Sequence, residues 1–182
     1  MKLATKRLIL RPFTLNDVDA VQKYSSKESV TRYMMWGPNK YEDTKRFVSS
    51  VVSRNSETPR DVFDFIVTLK DGTVIGACGL YFDEYPKPPT LGWVFDDTYW
   101  NQGYGTETGR ALLAFGFNTL KVKSILATCD NENIASARIM EKIGMRYVET
   151  RLEELPKLGK RFIKVYEITA LEYKLNSNKV LL

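Results

Sequence analysis

The residues of this sequence with the clearest chemical potential form a loop, YWNQGYGTE, at positions 99–107. A strand-like pattern ends before this loop and a helix-like pattern begins at its glycines. The first four N–H groups of a helix have no partner inside the helix, and the helix dipole places about half a positive charge at the same end. The loop therefore predicts a site for an anion such as a diphosphate. Gly103 and Gly105 would let that anion approach the backbone, because a Cβ atom there would obstruct it.

A Gly-x-Gly pair is by itself a weak signal. This loop lacks the third glycine of a dinucleotide fingerprint and the Gly-Lys-Ser/Thr of a P-loop, and a structural turn explains many isolated pairs. Its setting adds information, because strand patterns precede it and the patterns of a helix, a strand and a second helix follow it.

The groups available for proton transfer are restricted, since the chain contains no histidine. This excludes Ser-His-Asp and Cys-His catalysis and histidine-ligated metals. Cys78 and Cys129 each lie in an apolar, strand-like run, and two separate thiols cannot build a zinc cage. We therefore expect no metal site, and proton transfer by carboxylates, tyrosine, lysine, cysteine, hydroxyls or water.

Length and composition predict one domain that spans residues 1–182, with 43% hydrophobic and 27% charged residues. No run approaches the ~20 apolar residues of a membrane span, and the first residues lack a signal-peptide pattern, so we expect a cytoplasmic protein without a membrane partner. The net charge of +5 is dispersed, which suits a phosphate-bearing ligand or simply a soluble surface. Without a basic and aromatic cluster, nucleic acid is not a predicted partner. The oligomeric state is left open, with a homodimer as one candidate.

Hydrophobic periodicity predicts strands and helices in an order that forms a mixed sheet with helices against it. Strands are predicted at residues 7–11, 62–69, 74–82, 90–95, 124–129, 145–151 and 162–169. Helices are predicted from Thr14 or Asn16 to about residue 24, after residue 42, from residue 104 to 117, and over residues 135–143. Asp71-Gly72 predicts a hairpin turn, and Gly144 predicts a left-handed helix cap.

Three ordered segments resemble a known family. The loop at 99–107 resembles the acetyl-CoA pyrophosphate loop of GNAT enzymes, in particular the branch of ribosomal-protein N-terminal acetyltransferases (Rim type). TKRLILRPF at 5–13 resembles that branch's first strand, and NIAS at 133–136 with EKIGM at 141–145 resembles its second cofactor-binding motif. The resemblance runs from about residue 5 to 169. It implies an α+β GNAT fold with a central mixed, mostly antiparallel sheet, helices on both faces, and a splayed strand pair that binds acetyl-CoA.

The resemblance also implies roles for individual residues. Backbone N–H groups would hold the pyrophosphate, a splayed strand would pair with the pantetheine, and a backbone N–H near Val94 would polarise the thioester carbonyl. Asn133 would contact the pantetheine amide, and Lys142 would reach the CoA 3′-phosphate, although a plain helix cap and a solvated lysine are the alternatives. The implied pyrophosphate residues are Gln102, Gly103, Tyr104, Gly105 and Thr106, and the implied pantetheine strand is Trp93, Val94 and Phe95.

The candidate general acid and general base of this chain differ from those common in the family. Many GNAT enzymes place an acidic Tyr where this chain has Met140, and in the Rim-type branch a Ser is thought to replace it, so Ser136 is the candidate acid. The alternative is a small helix residue that bonds to a preceding carbonyl. Relatives often carry a basic Glu where this chain has Thr90. Asp83 and Glu84 are the nearest substitutes, with solvated loop charges and a water-mediated route as alternatives.

The function implied is transfer of an acetyl group from acetyl-CoA to a primary amine. The branch resemblance makes a protein or peptide N-terminal α-amine the leading acceptor. A small-molecule amine, such as a polyamine or an aminoglycoside, is the alternative acceptor. A non-catalytic acyl-CoA-binding module is the alternative from another functional class.

Overall fold

Eight strands form one continuous sheet in the computed structural model, which describes residues 1–55, 60–82 and 87–179, with side chains through residue 176. The strand order is β1-β2-β3-β4-β5-β6-β8-β7. All neighbours run antiparallel except β5 and β6, which run parallel. This confirms the predicted mixed, mostly antiparallel sheet. The strands are β1 (Leu3–Ala4), β2 (Leu8–Arg11), β3 (Val62–Leu69), β4 (Val74–Tyr81), β5 (Thr90–Phe95), β6 (Ser124–Asp130), β7 (Arg146–Leu155) and β8 (Gly159–Thr169).

Helices cover both faces of the sheet, as the resemblance implied. Helices α1 (Val18–Ser25) and α3 (Tyr41–Arg54) lie on one face, where Val21 and Val48 pack with Ile66 of β3. Helices α4 (Tyr104–Ala114) and α5 (Ile134–Lys142) lie on the other, where Leu112 and Met140 pack with Phe65. The odd and even residues of β3 therefore serve two different cores, as strand alternation requires.

Several elements escaped the sequence patterns. They are β1, the one-turn helix α2 (Glu28–Thr31) and the C-terminal helix α6 (Ala170–Lys179). The first two are too short to show a period. The β7–β8 hairpin is longer than predicted, because main-chain pairing continues to Leu155 and Gly159 along a stretch that is mostly exposed.

Both predicted glycine turns are present. Gly72 lies between β3 and β4 with φ +93°. Gly144 ends α5 with φ +90°, and the N–H of Met145 donates to Met140 O at 3.0 Å. That bond spans six residues and satisfies a carbonyl at the end of the helix.

Candidate functional site

The two parallel strands in the middle of the sheet separate along most of their length. β5 and β6 pair only at Thr90 with Leu126 and at Leu91 with Ala127. Beyond these pairs β5 continues to Phe95 and β6 to Asp130, but the two strands no longer pair with each other. Thr128 is exposed although its strand lies inside the sheet, so a gap opens between the carboxyl ends of the two strands. The predicted splayed pair is present.

The alternation of β5 decides which backbone groups face this gap. Pro89 O accepts from Leu126 N of β6 at 2.9 Å, whereas Asp96 N donates to Ile75 O of β4 at 3.0 Å. Odd-numbered residues therefore direct their amide groups towards β6 and even-numbered residues towards β4. The register pairs Val94 with Ala77 of β4.

This alternation corrects the prediction for Val94, whose N–H points away from the gap. The N–H groups of Trp93 and Phe95 point into it. The carbonyl of Phe95 is already bound, because the Trp100 indole N–H donates to it at 2.9 Å. The N–H groups of Trp93 and Phe95 and the carbonyl of Trp93 thus line the β5 side of the gap.

The amino end of α4 lies at the mouth of the gap, since α4 follows β5 after a short loop. Gly103 is the N-cap residue and has the left-handed φ of +80°. The first internal bond of the helix runs from Glu107 N to Gly103 O. Over the described residues, no acceptor is found for the N–H groups of Tyr104, Gly105 and Thr106. Three donors and the helix dipole are therefore available to an anion, as the sequence predicted for this loop.

The two glycines of the loop serve different purposes. Gly103 supplies a backbone conformation that a residue with a Cβ atom rarely adopts. A Cβ atom on Gly105 would lie 2.6 Å from Ile139 Cδ1 and 3.6 Å from a ring carbon of Phe95. Gly105 thus allows α4 to pack closely on α5 and β5, which corrects the expectation that it leaves room for a ligand.

An ion-pair cluster that the sequence did not indicate fixes this loop to the start of the chain. Glu107 accepts from Arg7 Nε at 2.6 Å, from Arg7 N at 2.8 Å and from Thr5 Oγ1 at 2.6 Å. Arg7 also donates to Gln102 O at 2.9 Å, and its guanidinium lies 4.5 Å from the centre of the Tyr104 ring. Burial alone would raise the pKa of Glu107, but the hydrogen bonds from Thr5 and Arg7 outweigh it and lower that pKa.

A second cluster fixes the other end of the loop. Lys27, just before α2, donates to Asp96 at 2.8 Å and to Asp97 at 2.6 Å, and Ser29 donates to Asp97 at 2.7 Å. The Lys27 and Ser29 hydrogen bonds lower the pKa of Asp97 to about 2. The loop from β5 to α4 is therefore held by charged contacts at both ends.

The amino end of α5 lies beside that of α4, because each helix follows one strand of the parallel pair. Asn133 Oδ1 accepts from Ser136 N at 3.1 Å, so the plain helix-cap role of Asn133 is confirmed. The Ser136 hydroxyl is half-buried and bonds to none of the residues that the structure describes. The alternative of a bond to a preceding carbonyl is therefore not observed. Met140 is fully buried in the core.

A groove of about 970 Å³ runs along the outer side of α4. Lys142 is exposed at its edge, and its carbonyl accepts from Arg110 at 3.3 Å. The other predicted residues with charged side chains, Asp83 and Glu84, lie outside the described residues. The basic side chains that line the groove are Lys2, Lys6, Arg7, Arg110 and Lys142.

Comparison with known proteins assigns this arrangement to a family. The family profile described as an acetyltransferase (GNAT) domain matches residues 7–146, which is most of the chain. The chain belongs to the GNAT family. It is therefore an acetyl-transferring enzyme, and the resemblance found in the sequence is confirmed at this level.

Individual GNAT relatives cover nearly the same length. The uncharacterized N-acetyltransferase YnaD of Bacillus subtilis (strain 168) is 40% identical over 149 residues, which are 80% of this chain and 83% of that protein. A GNAT-family acetyltransferase structure from Bacillus anthracis is 31% identical, with a TM-score of 0.82 over 94% of this chain and 99% of that one. The spermidine N-acetyltransferase of Vibrio cholerae, solved with CoA and spermine, has a TM-score of 0.79 at 16% identity over 93% and 99% of the two chains. This last likeness shows the fold alone.

The described part of the chain contains neither a membrane-spanning helix nor a cluster of metal-binding side chains. No helix there is both long and apolar enough to cross a membrane. No group of three or more Cys, Asp or Glu side chains there is arranged to hold a metal ion.

Proposed function

We propose that this GNAT enzyme binds acetyl-CoA in the gap between β5 and β6 and transfers the acetyl group to the α-amine of a protein or peptide. One observation carries the proposal. Two N–H groups of β5 face the gap, and three unpaired N–H groups at the amino end of α4 lie at its mouth. An extended ligand with an anionic end matches that arrangement, because its amide chain can add to the strand while its phosphates meet the helix.

The phosphates of CoA have matching donors on this chain. The N–H groups of Tyr104, Gly105 and Thr106 would bind the diphosphate, and Gln102 and Gly103 shape the loop that presents them. The basic groove beside α4 supplies cations for the 3′-phosphate, with Lys142 at its edge. Arg7 already lies against the loop and adds positive charge to the same region.

The strand donors fit the chemistry of the thioester. Acyl transfer develops negative charge on the carbonyl oxygen, and fixed backbone donors in a site shielded from water stabilise that charge. The N–H groups of Trp93 and Phe95 take this role and the pairing with pantetheine, in place of Val94. Asn133 would contact the pantetheine while its Oδ1 caps α5.

Ser136 supports release of the thiolate. Its hydroxyl has no partner among the described residues, it is half-buried, and it lies in the first turn of a helix beside the gap. A free hydroxyl there can donate a proton or a hydrogen bond to the departing sulfur. Met140 cannot do so, because its side chain is buried and carries no donor.

Two carboxylates near the start of α5 are already paired and therefore do not favour a multiply charged acceptor. The chain carries a net charge of +5. Asp130 pairs with Arg161 at 2.6 Å, and Glu132 pairs with the same guanidinium at 2.9 Å. A polyamine needs several unpaired carboxylates, and these two are already neutralised. The resemblance to the Rim-type branch points to an α-amine, while the fold shared with a spermidine N-acetyltransferase makes a polyamine the second candidate.

A matched panel of acceptors tests this assignment. Release of free CoA from acetyl-CoA is followed with peptides that carry a free α-amine, with the same peptides blocked at that amine, with spermidine and with an aminoglycoside. We expect turnover with the free peptides and none with the blocked ones. A preference for spermidine or the aminoglycoside would overturn the acceptor class. Binding of acetyl-CoA without CoA release from any amine would instead indicate a non-catalytic module.

A further inference from the structure

The acceptor amine must lose a proton, and the group that takes it was left open by the sequence. We propose that Asp64 and Tyr81 form the proton-accepting pair for the acceptor amine, on the sheet face that carries α1 and α3. The inference rests on the proposed function and adds a catalytic site to it.

The pair lies in a row of residues that crosses three strands next to the gap. Asp64 of β3 is opposite Gly79 of β4, and Gly79 is opposite Gly92 of β5. All three point to the α1 and α3 face, because each lies two positions along its strand from a residue that belongs to that core or packs on it: Ile66, Ala77 and Val94. At two strand spacings, Asp64 is about 9.6 Å from Gly92 between Cα atoms.

The side chain of Tyr81 spans this row. A Cβ atom on Gly79 would lie 2.5 Å from the Tyr81 hydroxyl oxygen, and one on Gly92 would lie 3.1 Å from Tyr81 Cε2. The ring therefore fills the space left by two glycines and brings its hydroxyl from the last residue of β4 back towards Asp64 of β3. Gly92 directly precedes Trp93, whose N–H faces the gap. The Tyr81 ring thus touches the residue next to a proposed oxyanion donor.

The hydrogen bond within the pair has the polarity that a proton relay needs. The Tyr81 hydroxyl donates to Asp64 Oδ1 at 3.1 Å, so the lone pairs of its oxygen are left to accept a proton. Burial raises the pKa of Tyr81 well above its usual value and keeps the phenol neutral. Asp64 is 6% exposed, and burial raises its pKa against the opposing hydrogen bond from Tyr81 and the charges of Arg54 and Arg60.

Among the described residues, the charged and titratable groups that act on Asp64 besides Tyr81 are two arginines. Arg54 of α3 approaches Asp64 at 3.4 Å. Arg60 precedes β3. Cys78 lies on β4 but belongs to the core on the opposite face, and burial and the charge of Asp64 raise its pKa. Neither arginine forms the close, two-pronged contact that Asp17 receives from Arg11 at 2.6 and 2.9 Å. Asp64 therefore keeps the capacity to bind a proton at a pH where a tightly paired carboxylate would not.

The position of the pair matches a gap in the family pattern. The resemblance expects a basic Glu where this chain has Thr90, and Thr90 is the cross-strand neighbour of Tyr81. Thr90 and Gly92 share a face, so the Tyr81 ring, which lies against Gly92, is on the same face of the sheet as a Glu side chain at position 90 would be. The Tyr81 phenol, hydrogen-bonded to the buried Asp64 carboxylate, takes the place of the missing Glu from the neighbouring strand β4.

As the amine nitrogen forms a bond to the thioester carbon, one N–H proton passes to the Tyr81 oxygen while the Tyr81 proton passes to Asp64. The C–S bond then breaks, and the thiolate leaves as a thiol with a proton from solvent or from Ser136, which regains a proton from solvent. Asp64 returns its proton to solvent through Tyr81, so both residues end unchanged.

The test compares Asp64→Asn, Tyr81→Phe and the double variant with the best acceptor of the panel. Tyr81→Phe keeps the ring over the two glycines and removes only the hydroxyl, so it remains informative even where Asp64→Asn fails to fold. We expect kcat to fall at neutral pH by ~10²-fold or more in each variant, the range of general base catalysis. The double variant should lose little beyond the single ones, since the two residues act together. The loss should shrink at high pH, where solvent removes the amine proton.

Two controls separate this inference from the function it rests on. Acetyl-CoA affinity, measured by calorimetry, should stay at the wild-type value in Tyr81→Phe, because the pair does not touch the phosphates. An active wild-type enzyme with unchanged kcat and pH profile in folded Tyr81→Phe would overturn the relay and leave the acetyltransferase intact. A wild-type enzyme that binds acetyl-CoA and acetylates no amine would overturn the proposed function and the relay together.

Discussion

At the scale of single residues, the site depends on backbone groups more than on side chains. The sequence predicted where unpaired helix N–H groups would lie, because a glycine loop that enters a helix always leaves them unpaired. It could not predict which β5 amides face the gap, since that depends on the register with β4. Val94 was therefore assigned the role that alternation gives to Trp93 and Phe95. The Tyr81–Asp64 hydrogen bond, on which the proposed proton relay rests, was missed for a related reason, because the two residues lie on neighbouring strands.

Gly103 provides a residue-scale prediction with a matched control. Gly103→Ala places a Cβ atom at φ +80°, and Gly72→Ala does so at φ +93° in a turn with no other atom within 4 Å. Each change should reduce stability by about 1 kcal/mol through left-handed strain. Only Gly103→Ala should weaken CoA binding, because only that strain moves the N–H groups of Tyr104 to Thr106. Thermal unfolding and calorimetric titration of both variants measure the two effects. Equal CoA affinity in the two variants would refute the role of this loop.

At the scale of elements, the sheet and its helices were predictable where a periodic run is long. Strands β2 to β8 and four of the helices, α1, α3, α4 and α5, had clear patterns. β1 and α2 contain too few residues to show a period, and α6 was missed as well. The contact between the start of the chain and α4 was invisible for a different reason. Arg7 and Glu107 are 100 residues apart, and nothing in either local pattern indicates a partner.

The Arg7–Glu107 pair provides the element-scale prediction. Glu107→Gln should weaken CoA binding several-fold, because the loop loses its charged attachment to β2 while no phosphate donor is removed. Arg146→Ala is the control, since Arg146 pairs with Glu172 at 3.2 Å and with Glu167, away from the loop, and is similarly exposed. Both exposed pairs should contribute less than about 1 kcal/mol to folding. A calorimetric titration in which both variants bind CoA like the wild type would show that the attachment is only structural.

At the scale of the whole molecule, several carboxylates link stability to pH. Hydrogen bonds from Arg11 and Thr14 outweigh burial and lower the pKa of Asp17, and a similar balance lowers the pKa of Asp130 through Arg161. Between the folded and unfolded pKa values the unfolded chain binds more protons, so this stability is present above pH ~4 and lost as pH falls. Asp64 contributes a pH dependence of stability in the opposite direction. Its raised pKa gives stability below pH ~4 that is lost as pH rises through the folded value.

Urea unfolding measured over a range of pH tests both of these opposite effects on the free energy of unfolding. We expect the free energy of unfolding to fall as pH decreases from about 4 to about 2, and Asp17→Asn should flatten that fall. Asp64→Asn should instead gain stability relative to the wild type as pH rises above about 4, because the wild type then carries a buried charge. If both variants kept the wild-type pH dependence, the contacts of these carboxylates would not affect their ionisation.

The measurement that tests the central claim most directly is a crystal structure of the protein with CoA bound. We predict that the pantetheine lies between β5 and β6, hydrogen-bonded to the N–H groups of Trp93 and Phe95. The diphosphate should accept from the N–H groups of Tyr104, Gly105 and Thr106. A structure with the pantetheine outside the gap, or with the diphosphate away from the start of α4, would contradict the account.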